Sequence, residues 1–131
     1  MINDPGLKRV DVLFVEDDES LRTAACELLR DEGFRVAEAE DGARALEYLN
    51  RRASPSLVVL DLLMPGLDGF QFIRRVRNTP KLRDIRILVL SGATKTGLLA
   101  GLQNVVAHLA KPFSAEELVA CVRKFAASPR G

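Results

Sequence analysis

The polar side chains that directly follow apolar runs are the residues of this chain whose placement suggests chemistry. Asp61 comes after four consecutive apolar residues, 57–60, and just before the turn-forming residues 64–66. A carboxylate at the end of a buried strand is costly unless it is used. Three further apolar runs lead into polar residues, which are Glu16 with Asp17, then Ser91, then Lys111. We interpret Asp61 as a phosphate-accepting aspartate, and the other residues as its metal and charge partners.

The three acidic residues predict a site for a divalent cation. If the first and third strands are neighbours, the carboxylates of Glu16, Asp17 and Asp61 converge. Like charges about 4 Å apart repel by about 4 kcal/mol at an effective dielectric constant of 20. Oxygen ligands at a partly open site favour Mg²⁺, for which Mn²⁺ could substitute. Lys111 would add positive charge and Ser91 a hydrogen-bond donor for an incoming phosphoryl group.

The elements that must position these residues follow from the hydropathy pattern. Short apolar runs alternate with longer segments of helical period, which predicts an α/β fold with a parallel sheet covered by helices on both faces. Such a doubly wound sheet binds ligands at the carboxyl ends of its strands, where the strand order reverses. All the polar residues above fall at that edge. The predicted strands are 10–15, 35–39, 57–60, 85–90 and 106–110.

Helix boundaries are also marked in the sequence. Ser114 and Glu117 form a capping box that opens the last helix, and Asp68 can cap the third helix. The segment after the fourth strand is rich in glycine, and a glycine inside a helix costs about 1 kcal/mol relative to alanine. We therefore expect the fourth helix to be short or irregular. The glycines concerned are Gly92, Gly97 and Gly101.

Composition limits the classes of protein that remain. A chain of 131 residues fits one domain, which we place at 8–127, with flexible ends at 1–7 and 128–131. The 19 basic and 18 acidic residues form no long single-sign block, so we expect no direct nucleic-acid binding. Cys26 and Cys121 lack a disulfide or zinc spacing, which fits a reducing, cytoplasmic setting. No apolar stretch approaches the roughly 20 residues needed to span a membrane.

The chain resembles the receiver domain of two-component response regulators. Four features in a fixed order carry the resemblance, which extends from about Val10 to Phe125. They are the acidic residues of Val15-Glu16-Asp17-Asp18, the run Asp61-Leu62-Leu63-Met64-Pro65-Gly66-Leu67-Asp68-Gly69, the hydroxyl of Leu90-Ser91-Gly92, and Lys111-Pro112-Phe113. The resemblance implies a flavodoxin-like sheet of order 2-1-3-4-5.

The same resemblance implies a role for each site residue. Asp61 would take a phosphoryl group from a sensor histidine kinase or phosphotransfer protein. Asp17, Asp61 and the backbone carbonyl of Leu63 would bind Mg²⁺, with Glu16 helping through water. Ser91 would be the switch hydroxyl and Lys111 the phosphoryl counter-ion, and Pro112 would follow a cis peptide bond.

His108 lies three residues before Lys111, where the resembled family places an aromatic switch side chain. We interpret His108 as that switch residue. By the same resemblance, Leu63 and Ala93 stand where the family varies its dephosphorylation rate, and neither can orient a water. We therefore expect a long-lived phosphorylated form. The resemblance further implies a signalling switch that assists its own phosphorylation and dephosphorylation, an unidentified downstream protein, and a monomer or weak dimer.

Three alternatives remain beside this reading. A receiver that no longer takes phosphate could serve only as a docking surface. A phosphatase with Asp61 as nucleophile would need a second acid two residues later, where Leu63 stands. A nucleotide- or flavin-binding module would need a glycine-rich loop after the first strand, where Glu16-Asp17-Asp18 stands instead.

Overall fold

Five parallel strands form one sheet in the computed structural model of the chain, which describes residues 9–63, 69–92 and 104–126. The strand order is β2-β1-β3-β4-β5, so the predicted doubly wound topology is confirmed. The order reverses between β1 and β3, which brings the carboxyl ends of these two strands side by side. The strands are β1 (Val12–Val15), β2 (Val36–Ala39), β3 (Leu57–Asp61), β4 (Arg86–Ser91) and β5 (Val105–Ala110).

Four α-helices cover the sheet within the described residues, and they are α1 (Glu19–Asp31), α2 (Gly42–Arg51), α3 (Gly69–Arg77) and α4 (Ala115–Phe125). A 3-10 helix, Pro80–Leu82, lies between α3 and β4. The predicted capping box at α4 is present. The Ser114 hydroxyl oxygen accepts a hydrogen bond from the Glu117 N–H, and the Glu117 carboxylate accepts one from the Ser114 N–H. The Asp68 cap and the irregular helix after the fourth strand fall outside the described residues. No described helix has the length and apolar character needed to cross a membrane.

The core has two halves, one on each face of the sheet. Leu13 and Val15 of β1 pack with the buried sides of α2 and α3, whereas Val12 and Phe14 pack with α1 and α4. This division follows from the alternation of side chains along a strand. Every residue of β3 is buried, as expected for a central strand covered on both faces. The site residues at the end of β3 therefore stand on a rigid support.

Two strands extend one residue beyond the apolar runs that predicted them. Asp61 is itself the last residue of β3 and pairs with Leu90, and Ser91 is the last residue of β4 and pairs with Ala110. Backbone pairing continues past the hydrophobic residues because N–H and C=O groups form the ladder whatever the side chain is. The two polar residues are thus held by the sheet rather than by loops.

Candidate functional site

The carboxylates of Glu16, Asp17 and Asp61 meet at the carboxyl edge of the sheet. Glu16 and Asp17 directly follow β1, and Asp61 ends the neighbouring β3. One oxygen of each carboxylate lies within 4.8 Å of the other two. Asp17 is exposed, whereas Glu16 and Asp61 are buried. The predicted convergence of the three acids is therefore present, with one open side.

Glu16 is the most deeply buried acid of this cluster, with 1% of its surface exposed. Burial, together with the nearby charge of Asp61, raises the pKa of Glu16 to about 7, although Lys111 and the backbone N–H of Asp18 act in the opposite direction. Its Oε2 accepts a hydrogen bond from the Asp18 N–H at 3.2 Å. Its Oε1 is buried and accepts no well-oriented hydrogen bond from the described residues, even though the Lys111 Nζ lies 3.0 Å away. This carboxylate lacks the donors that would satisfy its full charge.

Lys111 brings a cation to the cluster from β5. Its Nζ lies 3.0 Å from Oε1 of Glu16 and 3.5 Å from Oδ2 of Asp61. Burial lowers the pKa of Lys111, but the close contact with the Glu16 carboxylate and the charge of Asp61 outweigh burial and raise it. The ammonium therefore stays charged. The Lys111 N–H donates to the Ser91 carbonyl at 2.9 Å, and the Lys111-Pro112 peptide bond is cis, as predicted.

Ser91 ends β4, the strand beside β3, and His108 lies on β5, the next strand of the sheet. Ser91 is 3% exposed at the end of β4 and directly follows Leu90, which pairs with Asp61 of β3. His108 of β5 pairs with Val89 of β4 and is half-buried. The Nε2 atom of His108 is buried and has no hydrogen-bond partner among the described residues. The structure thus places Ser91 at the acidic edge, and His108 lies on β5 between Asn104 and Lys111. Their switch roles stay predictions.

The loop after Asp61 is tied back to the strand. The Leu63 N–H donates to Oδ1 of Asp61 at 3.2 Å, and the Leu63 side chain is 65% exposed. Sequence reasoning did not single out Gly69, whose N–H donates to the Leu62 carbonyl at 2.9 Å. A Cβ at Gly69 would lie 2.5 Å from the Leu62 Cα, which is far closer than real contacts allow. The signal available in the sequence was the glycine itself, at the start of a predicted helix.

The donor set fits a hard divalent cation. All three acidic side chains offer only oxygen atoms, and no residue in the described ranges gives the buried Oε1 of Glu16 a well-oriented hydrogen bond. Oxygen ligands with one open side suit Mg²⁺, which keeps several waters when it is bound. Soft ligands are absent from this cluster, since the described cysteines lie elsewhere on α1 and α4. Residues Glu16, Asp17 and Asp61 could therefore hold the predicted ion.

Known proteins share both the sequence pattern and the fold. A family model described as the response regulator receiver domain matches residues 12–123. The phosphate regulon transcriptional regulatory protein PhoB of Escherichia coli is 35% identical over 86% of this chain and 49% of its own length. Response regulator MprA of Mycobacterium sp. (strain KMS) is 39% identical over 87% of this chain and 49% of its own length. The chain spans about half the length of these curated relatives.

Solved structures agree with the sequence comparison. Chemotaxis protein CheY4 of Vibrio cholerae has a TM-score of 0.81 and 28% identity, and the match covers 90% of this chain and 99% of that one. The response regulator TrrA of Thermotoga maritima, solved in complex with Mg²⁺ and BeF, has a TM-score of 0.75 and 28% identity over 87% and 96% of the two chains. The shared fold spans nearly all of each neighbour.

Proposed function

We propose, from the premise that this chain belongs to the response regulator receiver domain family, that Asp61 accepts a phosphoryl group from a sensor histidine kinase or phosphotransfer protein. Receiver domains are signalling switches of two-component systems. The observation that carries the assignment to Asp61 is the meeting of three carboxylates and one ammonium at the carboxyl edge of the sheet. Asp61 is the member of this group that stands at the end of the central strand.

Mg²⁺ is the cation proposed for this edge, and Mn²⁺ could replace it. Asp17, Asp61 and the Leu63 carbonyl would hold the ion directly, and Glu16 would act through a water. When bound, the ion neutralises the crowded carboxylates and draws the oxygens of the donor phosphoryl group to the site. The open side next to the exposed Asp17 leaves room for these oxygens.

The chemistry asked of the protein is positioning and charge stabilisation. A carboxylate oxygen of Asp61 attacks phosphorus, the P–N bond of the donor phosphohistidine breaks, and its electron pair stays on the imidazole, which takes up a proton. Lys111 already lies 3.5 Å from Oδ2 of Asp61, so its ammonium can follow the charge onto the phosphoryl oxygens. Ser91, at the end of the adjacent strand, would donate a hydrogen bond to one of them.

Phosphorylation would shift an existing equilibrium between two conformations. Ser91 would move toward the phosphoryl group, and His108 on the next strand would change its exposure. The buried Nε2 of His108 makes no hydrogen bond to any described residue, so no polar contact of this atom with residues 9–63, 69–92 or 104–126 opposes the movement. A population shift of this kind changes the surface offered to partners without a new fold.

The wider context follows from the family. We propose a receiver domain at 8–127, acting in the cytoplasm as a monomer or weak dimer. It would assist its own phosphorylation and dephosphorylation, would contact an unidentified downstream protein, and would bind neither nucleic acid nor membrane directly. The phosphatase alternative gains nothing from the structure, because the place of its second acid is held by the exposed Leu63.

Incubation with acetyl phosphate and Mg²⁺, followed by intact-mass spectrometry, tests the proposal. The parent chain should gain roughly 80 Da, the mass of one phosphoryl group. Asp61→Asn should gain none, and omission of Mg²⁺ should strongly slow the gain. Asp41→Asn is the matched control, because Asp41 only caps α2 and should not affect phosphorylation. A parent chain that never gains mass would favour the docking receiver instead.

A further inference from the structure

A cleft of about 650 Å³ lies on the face of the sheet that carries α3, away from the acidic edge. One wall is α3, and the other is formed by the amino ends of the last two strands, where Arg86 begins β4 and Asn104 precedes β5. Asp61, Ser91 and Lys111 stand at the opposite ends of these strands. The cleft is thus separate from the proposed phosphorylation site, and its volume falls in the range of about 300 to 1,000 Å³ typical of small-molecule sites.

Asn104 gives this cleft an unsatisfied polar group. The residue is 7% exposed, and within the part of the chain that the structure describes neither its side-chain nitrogen nor its side-chain oxygen has a hydrogen-bond partner. Only its backbone is paired, through a 2.7 Å bond from the Ile87 N–H to the Asn104 carbonyl. A buried amide without partners destabilises a protein, and native structures contain few of them. Both atoms are closed to solvent in this position of the side chain, so a ligand with a donor and an acceptor side by side would satisfy them once the amide turns into the cleft.

The remaining lining of the cleft is partly apolar and partly cationic. Phe70, Ile73 and Val106 supply the apolar contact surface. Arg74, Arg77 and Arg83 also line the cleft and form no ion pair within the described residues, while Asp84 is its one acidic lining residue. Residues 69–92 contain six basic side chains and one acidic side chain, in a chain whose net charge is only +1. This segment therefore carries an excess of positive charge beside the cleft.

We propose that this cleft binds a purine nucleotide. The flat base would lie against the apolar residues, and its edge would pair with the Asn104 amide, which matches the adjacent donor and acceptor of a purine. The arginines would contact the phosphates, since guanidinium groups bind phosphate oxygens in a forked geometry. The proposed binding site does not involve Asp61. It also lies elsewhere than the loop after β1, which a nucleotide-binding module of the kind considered above would use.

A simple anion does not account for the same observations. Inorganic phosphate would use the arginines but would leave the Asn104 amide and the apolar surface without a partner. A nucleoside alone would use the amide and leave the arginines unused. Only a ligand that combines a heterocycle with phosphate uses all three parts of the lining.

Titration of ¹⁵N-labelled protein with ATP and with GTP, in EDTA so that the acidic edge holds no cation, tests the proposal. The side-chain amide resonance of Asn104 should shift saturably with at least one nucleotide. Asn104→Leu and Arg77→Gln should each weaken binding by about tenfold, a typical effect for loss of one strong polar contact. Arg75→Gln is the matched control, because Arg75 lies on the same helix but outside the lining, and it should change binding less than about twofold.

Three results would overturn the proposal. The first is the absence of saturable binding. The second is an equal loss of nucleotide affinity in Arg75→Gln and Arg77→Gln, which would indicate diffuse charge attraction. The third is binding of pyrophosphate as tight as that of ATP. Asn104→Leu should also melt at a higher temperature than the parent without ligand, which separates loss of binding from loss of folding. Asp61→Asn should bind nucleotide normally, so the phosphorylation proposal can fail while this one stands.

Discussion

At the scale of single residues, the site is defined by the repulsion among three carboxylates, which the rest of the site offsets only in part. Three carboxylates lie within 4.8 Å of one another, and a single ammonium contacts two of them. The identities of these residues could be predicted from the sequence, because each follows an apolar run. The near-complete burial of Glu16 and its raised pKa could not, since they depend on how Lys111 and Asp61 pack around it.

The exposed Leu63 carries the first prediction. Its side chain, 65% exposed beside Asp61, has no group that could orient a water toward a phosphoryl group. Leu63→Asn adds an amide there and should shorten the lifetime of phosphorylated Asp61 by about tenfold, which corresponds to about 1.4 kcal/mol of activation free energy. The measurement is the decay of phosphoprotein after removal of the donor.

Leu63→Ala is the control for this experiment, because it removes the leucine without adding an amide. It should leave the lifetime close to that of the parent chain. Equal lifetimes for Leu63→Asn and the parent would remove the idea that this position limits hydrolysis.

At the scale of elements, the strands and helices were predictable because each has a clear hydropathy period. The buried residues Phe72, Ile73 and Val76 of α3, for example, recur at helical spacing. The ends of β3 and β4 were less predictable, since backbone pairing continues through the polar Asp61 and Ser91. The sequence also did not show how tightly α3 is set against the loop that follows Asp61.

Gly69, the first residue of α3, provides a prediction about that contact. Gly69→Ala places a Cβ 2.5 Å from the Leu62 Cα and 2.9 Å from the Leu62 carbonyl oxygen, so backbone must shift. We expect a loss of roughly 1 to 3 kcal/mol in the free energy of unfolding, as for overpacking in a core. Because Leu62 follows Asp61, Mg²⁺ affinity should also fall. Urea unfolding and metal titration measure the two effects.

Gly92→Ala is the matched control, because an added Cβ there meets nothing within 4 Å. Its free energy of unfolding should stay within about 0.5 kcal/mol of the parent, as for most surface substitutions. If Gly69→Ala were equally harmless, the close packing of α3 against Leu62 would not govern the stability of this region.

At the scale of the whole molecule, charge is distributed unevenly over an almost neutral chain. Three acids meet at the carboxyl edge of the sheet, and four arginines line the cleft between α3 and the start of β4. Net charge read from the sequence gave no indication of either cluster, because the two largely cancel in the total of +1. The acidic edge was predictable from the strand order, whereas the basic cleft depends on the packing of α3 beside β4 and β5.

The acidic edge links stability to pH and metal. The folded chain keeps the Glu16 proton up to a pKa of about 7, above the ordinary value of 4.5, so the metal-free protein should lose stability as pH rises between these values. The loss is on the order of 3 kcal/mol. Mg²⁺ needs ionised ligands, so the rise in melting temperature that it causes should be larger at pH 8 than at pH 5.5. Calorimetry with Mg²⁺ or EDTA measures this difference.

Glu16→Gln should remove most of that pH dependence, because the amide does not titrate in this range. Glu47→Gln is the control, since Glu47 forms an exposed pair with Arg51 on α2. It should behave like the parent chain. A metal effect that is the same at both pH values in the parent would show that Glu16 does not contribute to the cation site.

Location of the phosphoryl group within the chain tests the central claim most directly. Borohydride converts an aspartyl phosphate to homoserine, so reduction of the phosphodonor-treated protein followed by peptide mapping identifies the modified carboxylate. We predict homoserine at position 61 and at no other acid, with formation dependent on Mg²⁺. Homoserine at Asp17 or elsewhere, or none at all despite full loading with donor and Mg²⁺, would contradict the account.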